Sequence, residues 1–172
     1  SAVLDTQLLP ILDQATALVS KSEFYNPELE FDICLNDGSY YPSLVRMVRG
    51  QAFAYGFYDK VVLQGTMDCA RNHLELNGYK WNLKQLLAHE MVHCLQFDKL
   101  GLFHSNPSAG IPDWKWEGYA EYVSRKDPGQ RDLARNMERL FLTPMDAWGI
   151  EFEDGTIAPR KYYESWLTVQ YC

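Results

Sequence analysis

The stretch from Asn82 to Gly101 constrains this chain more than any other part of it. Asn82 is a good N-cap, and a helix is expected to run from there to about Lys99 and to stop at Gly101. At about 100° per residue, Leu83, Leu87, Met91 and Cys94 fall within roughly 80° of one another, an apolar stripe suited to a core. The opposite face carries His89 and His93, about 40° apart and one turn apart in height. Apolar packing on one face and paired imidazoles on the other is what a rigidly mounted site needs.

The remaining elements are read from periodicity and turn signals. From Leu4 to about Ser20, apolar residues recur at three and four, as on one helical stripe, with Pro10 marking either a kink or the effective start. Leu29, Phe31, Ile33 and Leu35 alternate with polar neighbours and read as a strand leaving through Asn36-Asp37-Gly38. Segments 52–57 and 60–64 suit a hairpin joined near Tyr58 and Asp59, and Asn72 to Asn77 alternates as one half-exposed strand should. Phe103 to Pro112 is a loop, followed by helices over about Asp113–Arg125, Gln130–Leu142 and Arg160 to the end, the first two separated by Asp127-Pro128-Gly129. Helix, several strands, then helices only implies an α+β fold: a small antiparallel or mixed sheet packed on the Asn82 helix, with further helices after it. With 172 residues and no long linker, one domain spanning 1–172 is expected.

Charge narrows the partners. Sixteen basic against 23 acidic residues leave a net charge of -7, and no run of Lys and Arg offers a footprint for phosphate backbones, which argues against nucleic acid. No apolar stretch is long enough to predict a membrane span. Cys34, Cys69, Cys94 and Cys172 lack CxxC spacing, so they neither require nor exclude disulfides. Cys94 follows His93 directly but points about 100° away from it, which favours a core thiol over a metal ligand.

His89-Glu90-Met91-Val92-His93 is an HExxH segment in the middle of the predicted helix. Both imidazoles can reach one ion, and zinc accepts that geometry with bonds of about 2.0–2.1 Å. Glu90 projects beside the ion, the place for a base that takes a proton from metal-bound water and returns it to the leaving group. A third ligand is needed from another element, and Glu117 in Trp116-Glu117-Gly118-Tyr119-Ala120-Glu121-Tyr122 is the candidate. Glu121, one turn on, is expected to orient a histidine N–H. Two glutamates at i, i+4 are ordinarily a solvated helix face; their position after an HExxH helix and a loop reverses that reading. Gly118 is expected to let their helix approach the HExxH helix closely.

HEMVHCLQ followed by IPDWKWEGYAEYV resembles the gluzincin superfamily of zinc peptidases, in particular small bacterial peptidase MA-like domains. The match covers mainly Leu83 to Val123, and the interval from His93 to Glu117 is longer than in thermolysin-type enzymes, which argues against close kinship to those. The resemblance implies a zincin-like catalytic domain with His89, His93 and Glu117 on zinc, Glu90 as general base and acid, and Glu121 supporting a ligand. It also implies that Asn72 to Asn77 is the sheet's edge strand above the cleft, with Asn72, His73 and Glu75 beside an extended peptide substrate. For His73, as for His104 in the loop, a plain surface role is the competing reading. Tyr162 or Tyr163, on a segment similar to the late helix of such domains, is the candidate oxyanion donor, against the alternative of a core aromatic.

A zinc metallopeptidase acting on peptide or protein substrates is therefore the expected function. The rival is a non-catalytic binding or scaffolding module on the same fold, its zinc structural or vestigial, for which Glu90 would have no use. The small size leaves little material for a second wall of the cleft, which suggests a partner, a further domain or segment, or an unusually open site in the active form. A start at Ser1 in place of Met suggests that something upstream was removed, either by processing or by the choice of where the chain begins, and with the hazard of a free peptidase in cytoplasm this favours an extracytoplasmic location as the expectation.

Overall fold

The computed structural model describes residues 6–35 and 54–172; the expected exit turn at Asn36-Asp37-Gly38, the Leu4 end of the first helix and the first two residues of segment 52–57 lie outside them. Among the described residues there are five α-helices and three small sheets, an α+β fold. No described helix is long and apolar enough to cross a membrane.

Helix α1 (Leu8–Val19) buries Leu8, Ile11, Ala15, Leu18 and Val19. Pro10 falls in its first turn, where its missing N–H would have had no partner in the helix, so it starts the helix without kinking it. Strand β1 is shorter than its alternation suggests, Asp32–Leu35. Asn26 diverts the preceding residues into a turn: its Oδ1 accepts from Glu28 N and its carbonyl from Leu29 N. β1 runs parallel to β3 (Lys60–Leu63), which pairs antiparallel with β2 (Ala54–Phe57), giving a mixed sheet in the order β1-β3-β2. Tyr58, in the β2–β3 turn, takes φ 55°, and its ring stacks on Phe97 at 5.7 Å. That packing holds a conformation otherwise uncommon for tyrosine.

The second sheet has the order β4 (Thr66–Asp68), β5 (His73–Leu76), β6 (Tyr79–Asn82). β5 is thus the middle strand, hydrogen-bonded on both sides, and not the edge strand above a cleft. The turn Asn77-Gly78 places two residues at positive φ and folds β6 back on β5. A third, two-stranded sheet, β7 (Gly149–Glu151) with β8 (Ile157–Pro159), interrupts what the sequence suggests is a helical C-terminal part. Three residues per strand are too few for alternation to register.

Helix α2 (Leu83–Leu100) is the structural axis and is buried continuously from Leu86 to Phe97. Cys94 is a core thiol, fully buried, its Sγ donating to Lys60 O at 3.6 Å; burial pushes its pKa up. α3 (Asp113–Ser124) packs beside α2, α4 (Leu133–Leu142) begins at an Asp132 cap accepting from Arg135 N, and α5 (Arg160–Tyr171) closes the layer. Gly118 does permit a close helix contact, but with α5: a Cβ there would lie 2.7 Å from the Ser165 carbonyl oxygen. The expectation that it admits α3 to α2 is corrected accordingly. α3 is wedged between the two helices, and Gly118 faces the one that arrives last in the chain.

Candidate metal centre

The N-terminus of α2 is clamped twice. Asn82 Oδ1 accepts from Gln85 N at 3.1 Å, while Asn72 Oδ1 accepts from Lys84 N at 2.8 Å and Asn72 Nδ2 donates to Asn82 Oδ1 at 3.0 Å. Asn72, expected at substrate, thus anchors the helix that carries His89 and His93. His73 and Glu75 follow it on the middle strand, and none of the three lines the cavity at the site. His104 sits exposed in a short 3-10 turn.

His89 Nε2, His93 Nε2 and Glu117 Oε2 form a triangle with sides of 3.0, 3.1 and 3.3 Å. A tetrahedral ion with bonds of about 2.0–2.1 Å holds its ligand atoms about 3.3 Å apart, so the triangle already has the dimensions of one face of such a site. The tautomers make the case chemically. Gln96 Nε2 donates to Trp116 O at 3.2 Å, which turns Gln96 Oε1 towards His93; His93 Nδ1 lies 2.7 Å from it. An amide oxygen only accepts, so Nδ1 carries the proton and Nε2 of a neutral ring offers a bare lone pair. His89 Nδ1 faces Glu121 Oε1 at 3.0 Å, off the N–H axis but with the same consequence for its tautomer. Two imidazole lone pairs and a carboxylate therefore converge on one point, an arrangement that could hold a cation. The residues fit a divalent metal.

Burial opposes a charge on His89, yet Glu117 and Glu121 outweigh it and raise its pKa well above the ordinary value. Glu117 is half-buried, and against the desolvation that raises its carboxyl the two histidines hold it well below the usual carboxylate range. Burial acts on Glu121 too, and Arg125 and His89 bring it down to about 2. Glu90 goes the other way. It is 7% exposed, and burial raises its carboxyl, with His89 and His93 opposing. A carboxyl raised towards neutrality is suited to taking and returning a proton.

A cavity of about 600 Å³ opens on His89 and Glu90, with Ala54, Trp81, Leu86, Trp148 and Tyr162 in its walls. No family model, curated protein or solved structure matches this chain. Its chemistry is therefore carried by the geometry alone. A second cavity, about 250 Å³, has Arg125, Arg135 and Arg139 in its lining and does not include the histidines.

The two candidate tyrosines separate. The Tyr162 ring stacks on His89 at 5.7 Å, and burial with the surrounding carboxylates keeps its hydroxyl protonated, hence a donor. Tyr163 is fully buried in a separate cluster with Ile150, Trp166 and Leu167, its hydroxyl donating to Asn136 Oδ1 at 3.0 Å, so it is not an oxyanion donor. The periodicity of one helix cannot tell which of two adjacent tyrosines faces a neighbour. Two participants escaped the sequence reading. Gln96 sits at i+3 from His93, on the same face, a spacing that could have flagged it. Trp116 precedes Glu117 and lies flat on the His93 ring, 5.4 Å apart at 9°, and no local spacing signals that contact.

Proposed function

We propose that this protein is a zinc-dependent hydrolase of gluzincin type that cleaves peptide bonds. The observation that carries the reading is the convergence of His89 Nε2, His93 Nε2 and Glu117 Oε2, with the buried carboxyl of Glu90 beside them on the wall of an open cavity. A bound zinc ion would supply the positive charge that makes water acidic and polarises a carbonyl. The chain's own residues do the rest. His89, His93 and Glu117 hold the ion, Gln96 and Glu121 fix the tautomers, and Glu90 takes a proton from water and delivers it to the leaving amine. Tyr162 donates to the developing oxyanion, and Trp81, Leu86 and Trp148 exclude water from the bound peptide. A purely structural zinc site closes its coordination and has no need of a buried carboxyl beside an open cavity, which weighs against a scaffolding module.

Zinc content and hydrolysis of a denatured protein mixture, compared between wild type and Glu90→Gln, test the proposal. The variant is expected to keep zinc and to lose at least 100-fold in kcat, within the range of about 10²–10⁴ for general acid–base catalysis. Undiminished cleavage by the variant removes Glu90 from the chemistry, and a wild type that binds no zinc removes the reading as a whole.

A further inference from the structure

Glu121 does not act alone. Arg125, at the C-terminal cap of α3, donates from Nε to Glu121 Oε2, and its backbone N–H donates to the Glu121 carbonyl at 2.9 Å. Arg125 is 4% exposed, and its guanidinium carbon lies 5.2 Å from the Phe152 ring centre, 5.3 Å from Trp166 and 5.8 Å from Tyr163. A guanidinium stays charged in proteins, so burying one among three aromatic rings is costly without an anion at hand. Aromatic faces stabilise the cation without competing for its N–H groups. The bonded anion is Glu121, whose other oxygen faces His89. Phe152 lies between β7 and β8, and Tyr163 and Trp166 lie on α5, so Arg125 links the C-terminal part of the chain to the metal centre through Glu121, beside the direct contact of Tyr162 with His89.

We propose that Arg125 is a positioning residue of the metal centre, a cation caged by Phe152, Tyr163 and Trp166 that holds the Glu121 carboxylate against His89 Nδ1 so that His89 presents Nε2 to the ion. This inference rests on the reading of His89, His93 and Glu117 as metal ligands. Carboxylates that orient a ligating histidine usually need partners of their own, and loss of such outer support costs about 10–100-fold in metal affinity. In this protein the support has a fixed geometry: the Arg125 Nε–H on one carboxylate oxygen leaves the other directed at the imidazole.

The test measures zinc affinity by competition with a chelator, and the visible spectrum of the cobalt-substituted protein, for wild type, Arg125→Met, Arg125→Lys, Glu121→Gln and the Glu121→Gln/Arg125→Met double variant. Circular dichroism and melting of the metal-free proteins verify folding. Arg125→Met is expected to bind zinc about tenfold or more weakly than wild type, Arg125→Lys to recover part of the loss, and the cobalt spectrum to shift with the altered ligand geometry. The effect of Arg125→Met is expected to vanish in the Glu121→Gln background, because Arg125 acts only through that carboxylate. A merely structural arginine would lower the melting temperature in both backgrounds and leave zinc affinity alone. Should Arg125→Met fail to fold, the double variant, which removes both buried charges, carries the comparison with wild type. Wild-type affinity in folded Arg125→Met or in the double variant overturns the proposal, as does an equal loss with and without Glu121. Failure of the wild type itself to bind zinc or cobalt overturns the metal reading instead, which distinguishes the two.

Discussion

Gly118→Ala offers a sharp check on how the site is held, because it adds one methyl group at the contact between α3, which carries Glu117, and the C-terminal helix α5. The added Cβ would meet the Ser165 carbonyl oxygen at 2.7 Å and Val169 Cγ2 at 2.9 Å. Ordinary contact begins near 3.4 Å, so the helices must separate by several tenths of an ångström. The valine methyl can turn away; the carbonyl belongs to the α5 backbone and cannot. α3 has no room to yield the other way, since Ala120 and Val123 are fully buried in the core shared with α2. Overpacking of this kind costs about 1–3 kcal/mol. For a domain of this size each kcal/mol lowers Tm by about 2–4 °C, so a fall of roughly 2–12 °C is expected. The melts are run with chelator, because zinc would stabilise any variant that still binds it. Gly129→Ala is the control: a methyl group there would meet no atom within 4 Å, so its Tm should hold or rise slightly. A Gly118→Ala melt within a degree of wild type would refute the argument that α3 and α5 approach too closely at Gly118 to admit a methyl group.

Gln96→Met removes the acceptor that fixes the His93 tautomer while keeping the side chain's bulk, and about a tenfold loss of zinc affinity is expected by chelator competition; unchanged affinity would show that the tautomer needs no such help. Tyr162→Phe is expected to lower kcat at least tenfold with zinc content intact, whereas Tyr163→Phe should leave kcat alone and cost about 1 kcal/mol of stability through its lost bond to Asn136; the reverse pattern in kinetics and melts would overturn the assignment of the tyrosines. Zinc competes with protonation of His89, whose pKa Glu117 and Glu121 raise, so affinity should climb with pH and level off above that raised value, and a flat profile would contradict it. In the metal-free protein, the stabilisation due to charged His89 is full below its ordinary 6.5 and lost as pH rises through the raised value. That due to Glu121 is full above 4.5 and lost as pH falls towards about 2. Chelated melts over pH should therefore show both contributions together between about 4.5 and 6.5.

What one turn of helix dictates was open to the sequence. Asn82 as cap, Gly101 as stop, the common face of His89 and His93 and the shared direction of Glu117 and Glu121 all follow from about 3.6 residues per turn, and the structure has each of them. Gln96 was within reach of the same reasoning. Pairing and packing were not. A strand's alternation is the same at an edge as in the middle, so β5 looked like an edge until β4 and β6 were seen on either side of it. Local periodicity likewise cannot name the neighbour of a glycine, the ring lying on His93, or which of Tyr162 and Tyr163 meets the centre. The residue spacing along the chain determined that three metal-ligating side chains can be presented on two helices. Only the tertiary structure decided that they meet, because it wedges α3 between α2 and α5 and closes Phe152, Tyr163 and Trp166 around Arg125, whose pairing with Glu121 is itself a one-turn contact on α3.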